Sequence, residues 1–190
     1  MVPQRRRPDH AELRQSWLAE GDNSGLIVLS GPTKMSLLGQ VGKLDDILST
    51  IRSNGGFFYS SAARSYLTVY PTEALPKAKG VKEYGPVLDS LASGVVASYQ
   101  KCPHLGCRVP ECKSSQWFEC PCHGSQYNRV GEKKGGPAPR GMDHFAVTVS
   151  ASGDVVVDTS TVFAGAAIGT NTTGQEAEGP HCITGGGGHG

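Results

Sequence analysis

At 190 residues the chain is long enough for one well-buried domain with extra segments, but short for two full domains. Its 18 Lys and Arg residues against 17 Asp and Glu leave a formal net charge of +1, which gives no electrostatic footprint for nucleic acid. With 26 Gly and 12 Pro, the composition favours turns over long helices and predicts an all-β, loop-rich fold.

The opening MVPQRRRPDH is basic, but no apolar run follows Arg5, Arg6 and Arg7, so these read as a solvated tail and no export signal is expected. No window approaches the roughly 20 apolar residues that a membrane helix needs. In DHAELRQSWLAE, Asp9 stands at an N-cap position and Leu13, Trp17 and Leu18 fall at helical spacing, which predicts a short amphipathic helix ended by Gly21. A second helix is predicted in KLDDILSTIRS, with Leu44, Ile47, Leu48 and Ile51 on one face and Gly55 and Gly56 as its stop. GFFYS and SYLTVYP are β-branched and aromatic runs around a small polar turn, a hairpin signal.

Pro86 opens PVLDSLAS, read as one or two helical turns closed by Gly94. GVVASYQ alternates as a strand and leads into the first cysteine. Farther on, FAVTVS and DVVVDTS form a second predicted hairpin, joined through Ala151, Ser152 and Gly153. Periodicity is lost from about Thr159, and the last several residues of the GGGGHG terminus are expected to be mobile.

The residues that carry chemistry lie between positions 102 and 139. CPHLGC supplies Cys102, His104 and Cys107, and CPCH supplies Cys120, Cys122 and His123. The spacing is C-x-H-x15-C-x2-H, with an additional cysteine inside each loop. Two Cys and two His could hold one tetrahedral zinc, but zinc sites usually pair like ligands in C-x2-4-C and H-x3-5-H units. Here each loop offers one of each, which points to a different metal centre. A two-iron cluster with two thiolates on one iron and two imidazoles on the other needs this mixed arrangement.

Both loops resemble those of the Rieske iron–sulfur proteins, most closely the subunit of quinol-oxidising cytochrome bc-type complexes in its bacterial form. The resemblance implies a Rieske fold of antiparallel sheets, with a small cluster-binding subdomain at about 101–140 and short peripheral helices. It implies that Cys102 and Cys120 bind the inner iron of a [2Fe-2S] cluster and that His104 and His123 bind the outer one. It further implies a Cys107–Cys122 disulfide clamping the loops. In GSQY, Ser125 and Tyr127 would direct hydroxyls at a bridging sulfide and a cysteine sulfur, raising the potential. Leu105 and the loop GGPAPRG, with Gly136, Pro137 and Pro139, would cover the cluster.

The implied organisation is a polar N-terminal extension with a short helix over 1–44, a Rieske domain over 45–160 and an irregular Gly-rich tail over 161–190. The implied function is electron transfer from a quinol, menaquinol by resemblance, to a c-type cytochrome, with one of His104 and His123 contacting quinol. The chain would then be the iron–sulfur subunit of an oxidoreductase, with cytochrome b-type and c-type subunits as partners. Its place would be the extracytoplasmic side of a membrane, without an anchor or signal of its own. Two other readings stand beside this one: a soluble Rieske ferredoxin feeding an oxygenase, which the cysteine pair opposes, and a zinc-stabilised binding module. Cys112 and Cys182 remain over, with a second disulfide as one option. His10, His144, His181 and His189 have no partner at ligand spacing and read as surface or satisfied histidines, and the Asn171 sequon is assigned no role.

Overall fold

A computed structural model of the chain describes residues 38–183. The helix predicted at 9–20, His10, His189 and the glycine-rich terminus lie outside these residues. Strand β1 (Leu38–Lys43) runs directly into α1 (Leu44–Ser53), which buries Ile47 and Ile51. Asn54 and the left-handed Gly55 and Gly56, at φ 68° and 92°, end this helix where the glycine pair predicts. The predicted first hairpin is present as β2 (Phe58–Ser60) and β3 (Ser65–Val69), paired from Phe58–Leu67 to Ser60–Ser65.

Two helical segments missing from the expectation or displaced from it follow. A 3-10 turn at Thr72–Ala74 continues into α2 (Leu75–Ala78), and a second at Lys82–Val87 precedes α3 (Leu88–Ala92). The second begins four residues before Pro86, because a short 3-10 turn, which has no i→i−4 hydrogen bond to lose, tolerates a proline that the α-helix interior rejects. β4 (Val95–Tyr99) then crosses the core. Val95 and Ala97 pack with Ile47, Ile51, Leu67, Phe145 and Val157, whereas Val96 packs with Ala78, Tyr84 and Leu91. A strand buried on both faces reads as a continuous apolar run, as VVA does. Each fully buried Val, Leu or Ile side chain contributes roughly 1.5–3 kcal/mol.

The second predicted hairpin is β9 (His144–Val149) and β10 (Asp154–Phe163), so β10 extends past the Thr159 limit read from the sequence. Among the described residues, the six-stranded antiparallel sheet has the order β1-β10-β9-β4-β3-β2. A separate four-stranded antiparallel sheet joins β5 (Glu111–Cys112), β6 (Trp117–Glu119), β7 (Gln126–Tyr127) and β8 (Lys133–Gly135). Phe118 of this small sheet packs edge-on against Phe57 and at a tilt against Tyr66 of β3, with ring centroids 5.1 Å apart in each pair. These rings, with Cys102, Cys120, Tyr127 and Met142, form a core of their own.

Residues 164–183 are irregular in backbone yet anchored to the domain. Thr172 is 4 % exposed and donates its amide to the buried Glu132 at 2.9 Å. Glu119, 1 % exposed, accepts the amides of Cys182 at 2.8 Å and Ile183 at 2.9 Å. Cys182 is disulfide-bonded to Cys112. The anchors are polar and covalent, which explains why this stretch carries no apolar period.

Candidate metal centre

The two cysteine loops repeat one backbone pattern. In the first, the Cys102 amide donates to the Cys107 carbonyl at 2.7 Å and the Gly106 amide to the Cys102 carbonyl at 2.9 Å. In the second, the Cys120 amide donates to the Ser125 carbonyl at 2.8 Å and the Gly124 amide to the Cys120 carbonyl at 3.1 Å. Each turn closes on a glycine with φ near 80°, Gly106 at 81° and Gly124 at 76°, a conformation in which a Cβ is strained. A Cys107–Cys122 disulfide links the loops across 15 positions of sequence.

Cys102 and Cys120 are the free cysteines among the described residues, and both are buried. Burial pushes the Cys120 thiol up, and its contact with Cys102 adds to this, while the amides of Cys122 and His123 act in the opposite direction. Tyr127, fully buried at the end of β7, places its hydroxyl 3.1 Å from the Cys102 sulfur. Burial, first, and the neighbouring Cys102 raise the Tyr127 pKa, so the phenol keeps its proton for donation.

His104 and His123 stand farther out, the first half-buried and the second exposed. Their rings meet edge to face with centroids 4.9 Å apart. Leu105 beside them is 71 % exposed. The proline loop backs onto the second cysteine loop: the Ala138 amide donates to the Ser125 hydroxyl at 3.1 Å. A Cβ on Gly136 would meet the Gly124 carbonyl oxygen at 2.4 Å, so these two glycines hold the loops in backbone contact. Pro137 and Pro139 are exposed.

The predicted residues therefore converge as two buried thiols in mutual contact, two imidazoles toward the surface and a hydroxyl aimed at sulfur. Thiols buried in an apolar core favour ionisation only beside a compensating cation, and the metal centre of a Cys2His2 set supplies one. The donor set fits a two-iron cluster with mixed ligation.

The leftover residues also find places. His181 contacts Glu119 at 2.7 Å and Gln126 at 3.1 Å, in a structural role. His144 is neither exposed nor satisfied: it is 1 % exposed and neither ring nitrogen has a hydrogen-bond partner. It packs edge-on against Tyr84, a cost met by ring packing rather than polar contact. Three polar residues around the site escaped sequence reasoning, namely Glu119, Glu132 and Lys133. The first has a visible signal, a lone carboxylate inside the apolar strand WFEC.

Residues 73–149 match the family described as the Rieske [2Fe-2S] domain. The cytochrome b6-f complex iron-sulfur subunit of Synechococcus sp. (strain JA-3-3Ab) is 43 % identical over 75 residues, covering 38 % of this chain and 43 % of that one. The cytochrome b6-f complex iron-sulfur subunit 1 of the Cyanophora paradoxa cyanelle is 30 % identical over 145 residues, covering 70 % of this chain and 61 % of that one. The chain thus spans about two fifths of the first relative's length and three fifths of the second's. Among solved structures, the plasma membrane Rieske protein of Synechocystis PCC 6803 aligns with a TM-score of 0.42 and 21 % identity, covering 63 % of this chain and 98 % of that one.

Proposed function

Because the chain carries a Rieske [2Fe-2S] domain, we propose that it is the high-potential iron–sulfur subunit of a cytochrome bc-type complex, moving electrons from a quinol to a c-type cytochrome. Menaquinol is the quinol favoured here. Cys102 and Cys120 would hold the inner iron, and His104 and His123 the outer one. When bound, the cluster takes up and gives back one electron.

The observation that carries this reading is the gradient across the site, from two buried thiols in contact to two imidazole rings 4.9 Å apart at the surface. Whichever of His104 and His123 meets quinol presents the ring nitrogen not engaged by metal, accepts a hydrogen bond from the quinol hydroxyl and holds its proton. Leu105 offers an apolar contact beside that nitrogen. The buried Cys102 and Cys120, with Tyr127 over one sulfur, keep water from the inner side. The Cys107–Cys122 disulfide holds the two loops at fixed spacing and suits an oxidising compartment, in keeping with a place on the extracytoplasmic side. Among the described residues no helix is long and apolar enough to cross a membrane. Within this reading, membrane contact comes through partner cytochrome subunits or through an anchor outside the described residues.

Mixing the oxidised, cluster-loaded protein with a short-chain menaquinol under anaerobic conditions tests the reading. Reduction followed by re-oxidation on adding a c-type cytochrome is expected. A protein left oxidised by excess quinol contradicts it.

A further inference from the structure

The ladder between β7 and β8 is irregular, with Gln126 opposite Gly135 but Tyr127 opposite Lys133, so Lys134 is the extra residue of a bulge. Directly opposed residues of an antiparallel pair project to the same face, with Cβ atoms about 4.5–5.5 Å apart. Lys133 therefore shares the face of Tyr127, whose hydroxyl reaches the Cys102 sulfur. Its ammonium donates to the Gly136 carbonyl at 2.6 Å, on the loop that packs against Gly124 and Ser125.

Two of the neighbouring cations are neutralised. Lys134 pairs with Glu176 at 2.8 Å, and Arg140 makes a forked pair with Asp143 at 2.9 and 3.0 Å. Lys133 has no carboxylate at ion-pair distance among the described residues. It is half-buried, where its charge is screened less than on an open surface. Burial lowers its pKa, and negative charge at Cys102 acts the other way, which marks the ammonium and the sulfur as electrostatic neighbours.

We propose that Lys133 is a potential-determining residue, an uncompensated positive charge fixed beside the Cys102 side of the site that favours the reduced centre and raises its reduction potential. The proposal rests on Cys102 being a cluster ligand. Reduction adds one electron to the centre, so a fixed positive charge nearby stabilises the product state more than the reactant.

Two substitutions in the full chain separate charge from packing. K133Q keeps an amide donor for the Gly136 carbonyl and removes the charge, while K133R keeps the charge. Redox titration followed by electron paramagnetic resonance is expected to show K133Q about tenfold weaker in electron affinity, about 59 mV lower for a one-electron couple, with an unchanged line shape. K133R should stay within about twofold of the parent on the same scale. If K133Q assembles no cluster, K133M gives the same comparison. A neutral variant at the parent potential overturns the proposal, as does a K133R shift as large as that of K133Q. A parent protein without a two-iron signal removes the ligand assignment itself, an outcome distinct from an unmoved potential.

Discussion

The Tyr127 hydroxyl lies 3.1 Å from the Cys102 sulfur, inside the core that joins the two cysteine loops. Burial keeps the phenol protonated, so it donates toward a sulfur that carries more negative charge after reduction. Y127F removes that donor and little volume. A hydrogen bond to a charged group contributes about 1.5 kcal/mol or more, which corresponds to a potential lower by about 60 mV for one electron. Potentiometry of the loaded variant checks this, with the unfolding midpoint as control.

The two disulfides should separate in their effects. Closing 15 positions constrains the unfolded chain by about 3 kcal/mol in the loop-entropy view, and closing 70 by about 4 kcal/mol. C107S/C122S should lose iron faster to a chelator as well as stability. C112S/C182S should lose stability while keeping the cluster, since that bond anchors the C-terminal segment. Urea unfolding and chelator-release rates measured on both double variants decide the point.

Local patterns were legible where one physical rule governs the residue choice. The apolar stripe of α1, its glycine stop and both hairpins follow from periodicity and turn chemistry, and the paired Cys and His spacing singled out the thiols and imidazoles proposed as ligands. What stayed hidden depends on contacts distant in sequence. β1 pairs with β10 across more than a hundred positions, and its LGQVGK sequence has too little β-branched character to announce a strand. The tail at 164–183 looked loose because Glu119 and Glu132, which hold it, appear in sequence as ordinary charged residues. Lys133 faces Tyr127 only because of a bulge that no spacing rule signals.

His144 gives the domain a pH dependence of its own. Burial lowers its pKa to about 4, against the pull of the nearby Asp143 and Glu132 carboxylates and of the Ala97 backbone, which does not reach hydrogen-bond geometry. Between that value and the ordinary 6.5, the unfolded chain binds a proton that the folded chain does not, so stability falls as pH falls through this window. The loss between pH 7 and 5 is about 2 kcal/mol. H144M, similar in bulk and unable to titrate, should flatten the dependence in urea titrations at those two pH values. Its stability at pH 7 should be equal or higher, because no hydrogen bond is lost.

Gly136 and Gly153 both adopt left-handed backbone, at φ 78° and 80°, but their surroundings differ. A Cβ on Gly136 would stand 2.4 Å from the Gly124 oxygen and 2.5 Å from the Ser125 Cα, whereas one on Gly153 meets nothing within 4 Å. G153A should cost about 1 kcal/mol from backbone strain alone. G136A should cost at least about 2 kcal/mol and lower the iron content by parting the proline loop from the second cysteine loop. Thermal melts with iron analysis on both proteins make the comparison.

The central claim is a high-potential mixed-ligand cluster, and redox titration with electron paramagnetic resonance at several pH values tests it most directly. The account predicts a rhombic two-iron signal in the upper part of the roughly −150 to +300 mV Rieske range, with a potential lower in alkaline than in neutral solution. A low, pH-insensitive potential near neutrality, or stoichiometric zinc without iron, would contradict it.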